Sequence, residues 1–171
     1  ILKSIKELSV THIWYTGIIE HATATDYSQY GITPDNKYVV KGIAGSPYAI
    51  KDYYDVDPDL AKDVPSRMQE FEQLIARTHA AGMKVIIDFV PNHVARRYDS
   101  DSTPANLRPI GADDNPKQQF SSTNNFYYLP GTKFAPTFYI GEGKTHYNES
   151  PAKVTGNDCF TPSPSVNDWY E

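Results

Sequence analysis

The chain has 171 residues and a formal net charge of −5, with 22% charged and 13% aromatic residues. This length is sufficient for one ordinary domain with a hydrophobic core. Nucleic acids and anionic membranes select clustered Lys and Arg, so the acidic balance argues against both partners, and the apolar runs are too short to span a bilayer. The single cysteine, Cys159, excludes an internal disulfide but leaves the compartment open.

The N-terminal third predicts a helix, a strand and a loop, in that order. The segment ILKSIKELSV repeats apolar residues at helical spacing. Residues 11–18, THIWYTGI, favour an extended strand that ends near Gly17. Residues 19–57 show no long periodicity and are rich in Tyr, Gly, Pro, Asp and Asn, which predicts a long loop.

The clearest helix is VPSRMQEFEQLIARTHAAG, which carries one apolar stripe. Ser66 and Gln69 fit a capping box at its start, and Gly82 is placed to end it as the C′ residue. Residues 83–90 follow as an apolar, β-branched run interrupted by Asp88, which predicts a strand buried on both faces. The alternating order of helices and strands is the repeating unit of a parallel α/β sheet.

Polar residues gather where this second strand is predicted to end. An ionised carboxylate at Asp88 is costly in a buried strand unless it is paired or hydrogen-bonded. Pro91 removes a backbone donor and ends the strand, so Asn92 and His93 follow its C-terminal end. Parallel α/β proteins place active sites at that edge. Taken alone, an Asn-His pair at a strand end is also consistent with a satisfied polar terminus that has no function.

The chain changes character after residue 93. Residues 95–135 are polar with few aliphatics, and FYYL and TFYIGE then predict two short strands. Loops of this length are uncommon unless they form a functional excursion or a subdomain. We therefore interpret residues 94–171 as an irregular insertion that follows a barrel-type strand. His146 and Cys159 carry no motif and are interpreted as structural.

Three segments together resemble the α-amylase family of glycoside hydrolases. LKSIKELSVTHIWYTGIIE is similar to the first helix and second barrel strand of the family, SPYAIKDYYDVDPDL to the loop after that strand, and GMKVIIDFVPNHV to the third strand with its Asn-His ending. The resemblance implies an α/β fold, a partial (β/α)₈ TIM barrel from helix 1 to strand 3 over residues 1–93. It also implies that residues 94–171 form the insertion known in the family as domain B.

The resemblance assigns roles to five residues. Tyr48 would stack on the sugar at the cleavage point, and His93 would donate a hydrogen bond to the same sugar. Asp88 would be a supporting carboxylate, and Asp52 a structural anchor of the loop. Asn92 is a calcium ligand in members that bind calcium there, so calcium is the candidate cofactor and no organic cofactor is expected. Two further candidate calcium donors lie in the insertion: Asp158 and Asp168.

Hydrolysis of a glycosidic bond normally requires two carboxylates, a general acid and, in retaining enzymes, a nucleophile. In this family they lie on the fourth and fifth barrel strands, with a third essential aspartate after the seventh. None of these motifs occurs in residues 1–171, so no catalytic residue is assigned to this chain. We expect the chain to be part of a longer retaining enzyme and to be inactive by itself.

The expected substrates are α-glucosidic bonds in starch-like glucans or maltooligosaccharides. Two alternatives stay open: a transglycosylase or isomerase of the same family, such as a branching enzyme or a trehalose synthase, and a non-catalytic relative that binds glycans or proteins. The downstream sequence separates these alternatives, because it carries or lacks the missing carboxylates. The sequence leaves the cellular location open and favours an extracytoplasmic one, secreted or periplasmic.

Overall fold

The computed structural model describes residues 1–37, 39–134 and 147–153. Within these residues the helices are α1 (Leu2–Glu7) and α2 (Arg67–Ala80). The strands are β1 (His12–Tyr15), β2 (Ile19–His21), β3 (Ile50–Val56), β4 (Lys84–Ile87), β5 (Tyr128–Leu129) and β6 (Ala152–Lys153). They pair in three two-stranded sheets, β1 with β4, β2 with β3, and β5 with β6. None of the helices in this part of the chain is long and apolar enough to cross a membrane.

Strands β1 and β4 are parallel, and helix α2 lies between them in sequence. His12 pairs with Lys84 at one end, and Tyr15 pairs with Ile87 at the other. Helix α2 packs on this pair: the Tyr15 hydroxyl lies 2.8 Å from the Thr78 hydroxyl, and the Tyr15 ring meets the Phe71 ring edge-on. The predicted parallel α/β arrangement is therefore present, with strands shorter than the sequence suggested.

The two faces of β4 are not both buried, so that prediction is wrong for the described residues. Ile86 is 48% exposed, and Phe89, just beyond the strand, is 64% exposed. Trp14 on β1 is equally open, with 64% of its surface exposed. The reason is that the parallel sheet contains two strands here, and nothing in the described part of the chain covers the side opposite α2.

The start of helix α2 differs from the predicted capping box. Ser66 does precede the first helical residue, but its hydroxyl donates to the Asp63 carboxylate at 2.6 Å instead of accepting from the helix backbone. The acceptor at this end is Glu70, not Gln69. Its carboxylate binds the backbone N–H groups of Lys62 and Asp63 at 3.0 and 2.9 Å. Glu70, one residue after Gln69, therefore holds the segment that leads into the helix.

The end of helix α2 agrees with the prediction. Gly82 has φ = +72°, and its N–H donates to His79 O at 2.8 Å. The next N–H, from Met83, reaches back to Thr78 O at 3.2 Å. These two bonds form a Schellman motif, which satisfies carbonyl groups at the helix end and turns the chain into β4.

Residues 19–57, predicted as a long loop, begin and end in strands that pair antiparallel. Ile19 faces Val56, Glu20 faces Asp52 and His21 faces Ile50, with irregular register between these pairs. The strand at 50–56 could not be predicted from hydrophobic periodicity, because apolar and polar residues do not alternate along it. Consecutive residues Ile50, Lys51 and Asp52 are all buried. A strand whose buried residues are charged cannot be recognised by hydrophobic periodicity.

The C-terminal part is mostly turns, with one short antiparallel pair. β5 falls within the predicted FYYL strand, and it pairs with β6. Phe134 bridges to Glu149 and packs with Ala152 in a small apolar cluster that also includes Val39. The predicted TFYIGE strand, together with His146, Asp158, Cys159 and Asp168, lies outside the described residues. The division into segments 1–93 and 94–171 stays a prediction.

Candidate functional site

The candidate site begins at the C-terminal end of the parallel pair. Asp88 lies one residue past β4, and its N–H donates to Tyr15 O at 3.2 Å, which continues the pairing by one step. The Asp88 residue is half-buried. Its carboxylate lies just past the end of β4 and is partly exposed, so the prediction that Asp88 stands in the middle of a strand buried on both faces is wrong.

Asn92 and His93 lie beyond this strand end, in a turn. Asn92 is exposed and His93 is half-buried. The Asn92 amide nitrogen lies 3.2 Å from Nδ1 of His93, so the pair forms one local polar unit. If Nδ1 accepts this hydrogen bond, Nε2 carries the ring proton, and Nε2 is buried in this structure.

Tyr53, on β3, binds the turn that carries Asn92 and His93. The sequence did not predict this role. The Tyr53 hydroxyl donates to the carbonyl oxygen of Val90 at 2.5 Å and lies 3.3 Å from the carbonyl oxygen of His93. The Tyr53 ring also contacts the rings of Phe89 and Tyr98, with centroids 5.6 and 5.9 Å away. A Tyr-Tyr pair in the sequence gives no sign of which hydroxyl binds which carbonyl.

Tyr48 precedes β3 and presents its side chain to solvent, with 48% of its surface exposed. Its own N–H donates to Ser46 Oγ at 3.3 Å. Two residues later, Ile50 O accepts from the N–H of Ala95 at 2.7 Å. The segments that carry Tyr48 and His93 are therefore joined through backbone pairing.

Asp52 is fully buried and ties β3 to the segment around residue 100. Its Oδ1 accepts from Tyr54 N at 2.8 Å, and its Oδ2 accepts from Ser100 Oγ at 2.7 Å and from Ser102 N at 3.2 Å. This geometry suits the anchoring role that the resemblance implied.

A group of charged side chains surrounds Asp52, and no sequence motif predicted this group. Lys51 Nζ lies 3.1 Å from Asp35 Oδ2 and 3.9 Å from Glu20 Oε1. Glu20 is 1% exposed. Burial, reinforced by the negative charge of Asp101 and only partly offset by Lys51, raises the pKa of Glu20 to about 8.

Arg67 is the second cation of this group. Its Nη2 lies 2.5 Å from Asp55 Oδ2 and 3.2 Å from Asp101 Oδ2. Arg67 begins helix α2, so these bonds connect the helix start to β3 and to the segment after His93.

His21 and Asp57 form a buried pair beside the antiparallel β2–β3 pair. His21 Nδ1 lies 2.8 Å from Asp57 Oδ2, and its Nε2 lies 3.0 Å from the carbonyl oxygen of Ala44. The Nδ1 contact is a close ion pair and the Nε2 contact is a hydrogen bond, so the doubly protonated, charged ring suits both neighbours. Burial lowers the pKa of His21, but the hydrogen bond and charge of Asp57 outweigh it and raise the pKa overall.

The family model described as "Alpha amylase, catalytic domain" matches residues 1–151. The chain belongs to the α-amylase family. This confirms the family that its motifs resemble. No solved structure matches the chain significantly.

Several curated proteins are similar to parts of the chain. An amino acid transporter heavy chain of Rattus norvegicus is 32% identical over 80 residues, 47% of this chain and 10% of that protein. A cyclomaltodextrin glucanotransferase of Bacillus licheniformis is 28% identical over 123 residues, 71% of this chain and 15% of that protein. Maltase A1 of Drosophila melanogaster is 41% identical over 46 residues, 27% of this chain and 7% of that protein. The chain thus spans only about a tenth of the length of these relatives.

Calcium at Asn92 does not follow from the described residues. Asn92 offers one neutral side-chain oxygen, whereas Ca²⁺ takes about 6–8 oxygen ligands. Among the described residues, the acidic, His or Cys side chains close enough to share an ion are Glu20, Asp52 and Asp101.

Proposed function

We propose that the whole protein is a glycoside hydrolase that cleaves α-glucosidic bonds in starch-like glucans or maltooligosaccharides. One observation carries the proposal: in a chain of the α-amylase family, Asp88, Asn92 and His93 follow the C-terminal end of a parallel strand pair. Active sites of parallel α/β enzymes lie at that edge of the sheet.

Tyr48 and His93 are the proposed sugar contacts. The exposed ring of Tyr48 offers a flat apolar face, which suits the C–H face of a pyranose. His93, with Asn92 next to its Nδ1, would donate from Nε2 to a sugar hydroxyl at the cleavage point, once a local shift of this segment exposes the buried nitrogen. Asp88 and Asp52 would support the site, Asp88 beside the strand end and Asp52 through its bonds to Ser100 and Ser102.

The reaction proposed is retaining, with two carboxylates outside this chain. One protonates the leaving oxygen, and the other attacks the anomeric carbon from the opposite side of the sugar. Residues 1–93 would then be the N-terminal segment of the catalytic barrel, and residues 94–171 its domain B. These 171 residues would have no glycosidase activity alone, because neither carboxylate is among them.

A second candidate is transfer of the glucosyl group to another sugar in place of water. The similarity to a protein named a cyclomaltodextrin glucanotransferase supports this candidate. A third candidate is a non-catalytic relative, and the similarity to a protein named an amino acid transporter heavy chain keeps it open.

The deciding experiment measures the products that the whole protein forms from starch, maltoheptaose, pullulan and cyclodextrin. Release of reducing sugar without longer or cyclic products supports hydrolysis, whereas chromatography that detects such products supports transfer. Absence of turnover on all four substrates, with a folded protein verified by circular dichroism, would exclude both enzymatic candidates.

A further inference from the structure

We propose that Glu20, Asp52 and Asp101 form a calcium site of their own, separate from Asn92. One carboxylate oxygen from each residue lies within 4.8 Å of the corresponding oxygens of the other two. Ca²⁺ binds oxygens at about 2.3–2.6 Å, so ligands on opposite sides of the ion are about twice that distance apart. The three oxygens can therefore reach one ion with little rearrangement.

Glu20 supplies the observation that points to a ligand. Its Oε2 is buried and has no hydrogen-bond partner among the described residues, while its Oε1 is 3.9 Å from Lys51 Nζ, too far for a hydrogen bond. Glu20 also stands directly opposite Asp52 in the antiparallel pair, where like charges are destabilising. A buried carboxylate in this position requires either a proton or a cation.

The hydrogen bonds to Asp52 suit it to bind a cation. The N–H groups of Tyr54 and Ser102 and the hydroxyl of Ser100 all donate to its carboxylate. These bonds favour the ionised form and fix the orientation of the group, as the outer partners of metal-binding carboxylates do. Each carboxylate oxygen can accept more than one contact, so coordination remains available.

The charge balance of the surrounding group also favours a cation. The acidic members outnumber the basic ones by three. The basic members are Lys51 and Arg67, and the acidic members are Glu20, Asp35, Asp52, Asp55 and Asp101. A divalent ion would offset two of the three excess negative charges, whereas a proton on Glu20 would offset one.

The site has an opening to solvent at Asp101. Glu20 and Asp52 are buried, but Asp101 is exposed, so an ion can enter from that side and keep water as its remaining ligands. Calcium is preferred to magnesium because Ca²⁺ accepts irregular arrangements of 6–8 oxygens, while Mg²⁺ requires near-octahedral geometry at about 2.0–2.1 Å. The ion would bind β2, β3 and the segment after His93 to one another.

The test uses the whole protein carrying Asn92→Ala, which removes any contribution of calcium at that residue. Protein stripped with EDTA is titrated with CaCl₂, and binding is followed by isothermal calorimetry and by the melting temperature. Glu20→Gln is added in one variant and Asp101→Asn in another. Asp113→Asn, at a surface carboxylate paired with Arg108, is the matched control.

The expected result is a calcium-dependent rise in melting temperature in the Asn92→Ala protein and in the Asp113→Asn control. Glu20→Gln and Asp101→Asn should each weaken the apparent affinity by at least about tenfold. Asp101 is at the rim, so its variant remains informative even if Glu20→Gln fails to fold. Two results would overturn the proposal. The first is no response to calcium in the Asn92→Ala protein, which would mean that a proton and not a cation neutralises Glu20. The second is an unchanged calcium affinity in Asp101→Asn. Neither readout depends on glycosidase activity.

Discussion

The hydroxyl of Tyr53 donates to the carbonyl oxygen of Val90 at 2.5 Å, and this bond joins β3 to the turn that carries Asn92 and His93. It connects two segments that lie 37 residues apart in the chain. Since the proposed sugar contacts Tyr48 and His93 flank these two segments, the bond bears on function as well as on stability.

Tyr53→Phe is expected to destabilise the whole protein by about 1–2 kcal/mol, because it leaves the Val90 carbonyl without its side-chain donor. The same change should lower activity through displacement of His93. Urea unfolding and steady-state kinetics measure the two effects. Tyr54→Phe is the control, because the Tyr54 hydroxyl makes no hydrogen bond within the described residues. Equal stability of the two variants would show that the Tyr53 hydroxyl has no structural role.

Gly45 lies against the backbone of the β2 end. A Cβ added there would stand 1.8 Å from the carbonyl oxygen of Ala22, and φ at Gly45 is +71°. Gly45→Ala should therefore cost about 3 kcal/mol or more, since backbone must move. Gly42→Ala is the matched control: φ is +70°, but nothing lies within 4 Å of the added Cβ, so only about 1 kcal/mol of conformational strain is expected. Thermal melts of the whole protein check both values. A Gly45→Ala variant as stable as Gly42→Ala would contradict the close approach.

Local patterns predicted the features that depend on neighbouring residues. The apolar stripe of α2, the Gly82 ending and the β-branched run of β4 are all signals within a few residues, and each element is present. The positions of Asn92 and His93 just beyond a strand end follow from the same local reasoning.

Other features were missed because they depend on residues far apart in sequence. The β3 strand buries Lys51 and Asp52, and only their distant partners make this burial acceptable. The cluster of Glu20, Asp52 and Asp101 draws on three separate segments, so no spacing in the sequence reveals it. Ile86 is exposed because no element of the described structure covers it, and its apolar side chain gives no sign of this in the sequence.

Arg96 holds the segment after His93 against the short β5–β6 pair. Its guanidinium donates to both Glu149 oxygens at 3.0 and 2.9 Å and to Lys153 O at 2.7 Å, and it lies 4.0 Å from the Phe134 ring centre. Arg96→Lys should destabilise the protein by about 2–3 kcal/mol, because an ammonium cannot reproduce this planar set of contacts.

Arg97→Lys is the control for this change. Arg97 is the next residue, pairs with Asp99 at 3.1 Å and has a side chain 55% exposed. Exposed pairs of this kind contribute little, so the substitution should shift stability by no more than about 0.5 kcal/mol. Urea denaturation of both variants tests the difference. Loss of stability that is equal at the two positions would contradict the account of Arg96.

Calcium at Asn92 is a proposal from the family resemblance, and metal removal tests it. EDTA should lower the melting temperature of the whole protein, and added Ca²⁺ should restore it, because a ligand specific to the folded state stabilises that state. Asn92→Ala should reduce this calcium-dependent rise, and the part that remains is the contribution expected from Glu20, Asp52 and Asp101. A rise that is identical with and without Asn92 would remove this residue from any metal site.

The most direct test of the proposed function is the kinetics of His93→Ala in the whole protein, with maltoheptaose as substrate. His93 is proposed to contact only the sugar at the cleavage point, where the ring distorts toward the transition state, while the remote sugars keep their binding contacts. We expect kcat/KM to fall by about 100-fold, a loss of about 2.7 kcal/mol in transition-state stabilisation, with most of the loss in kcat. An unchanged kcat with a raised KM would show that His93 contributes only uniform binding, and would contradict its place at the point of cleavage.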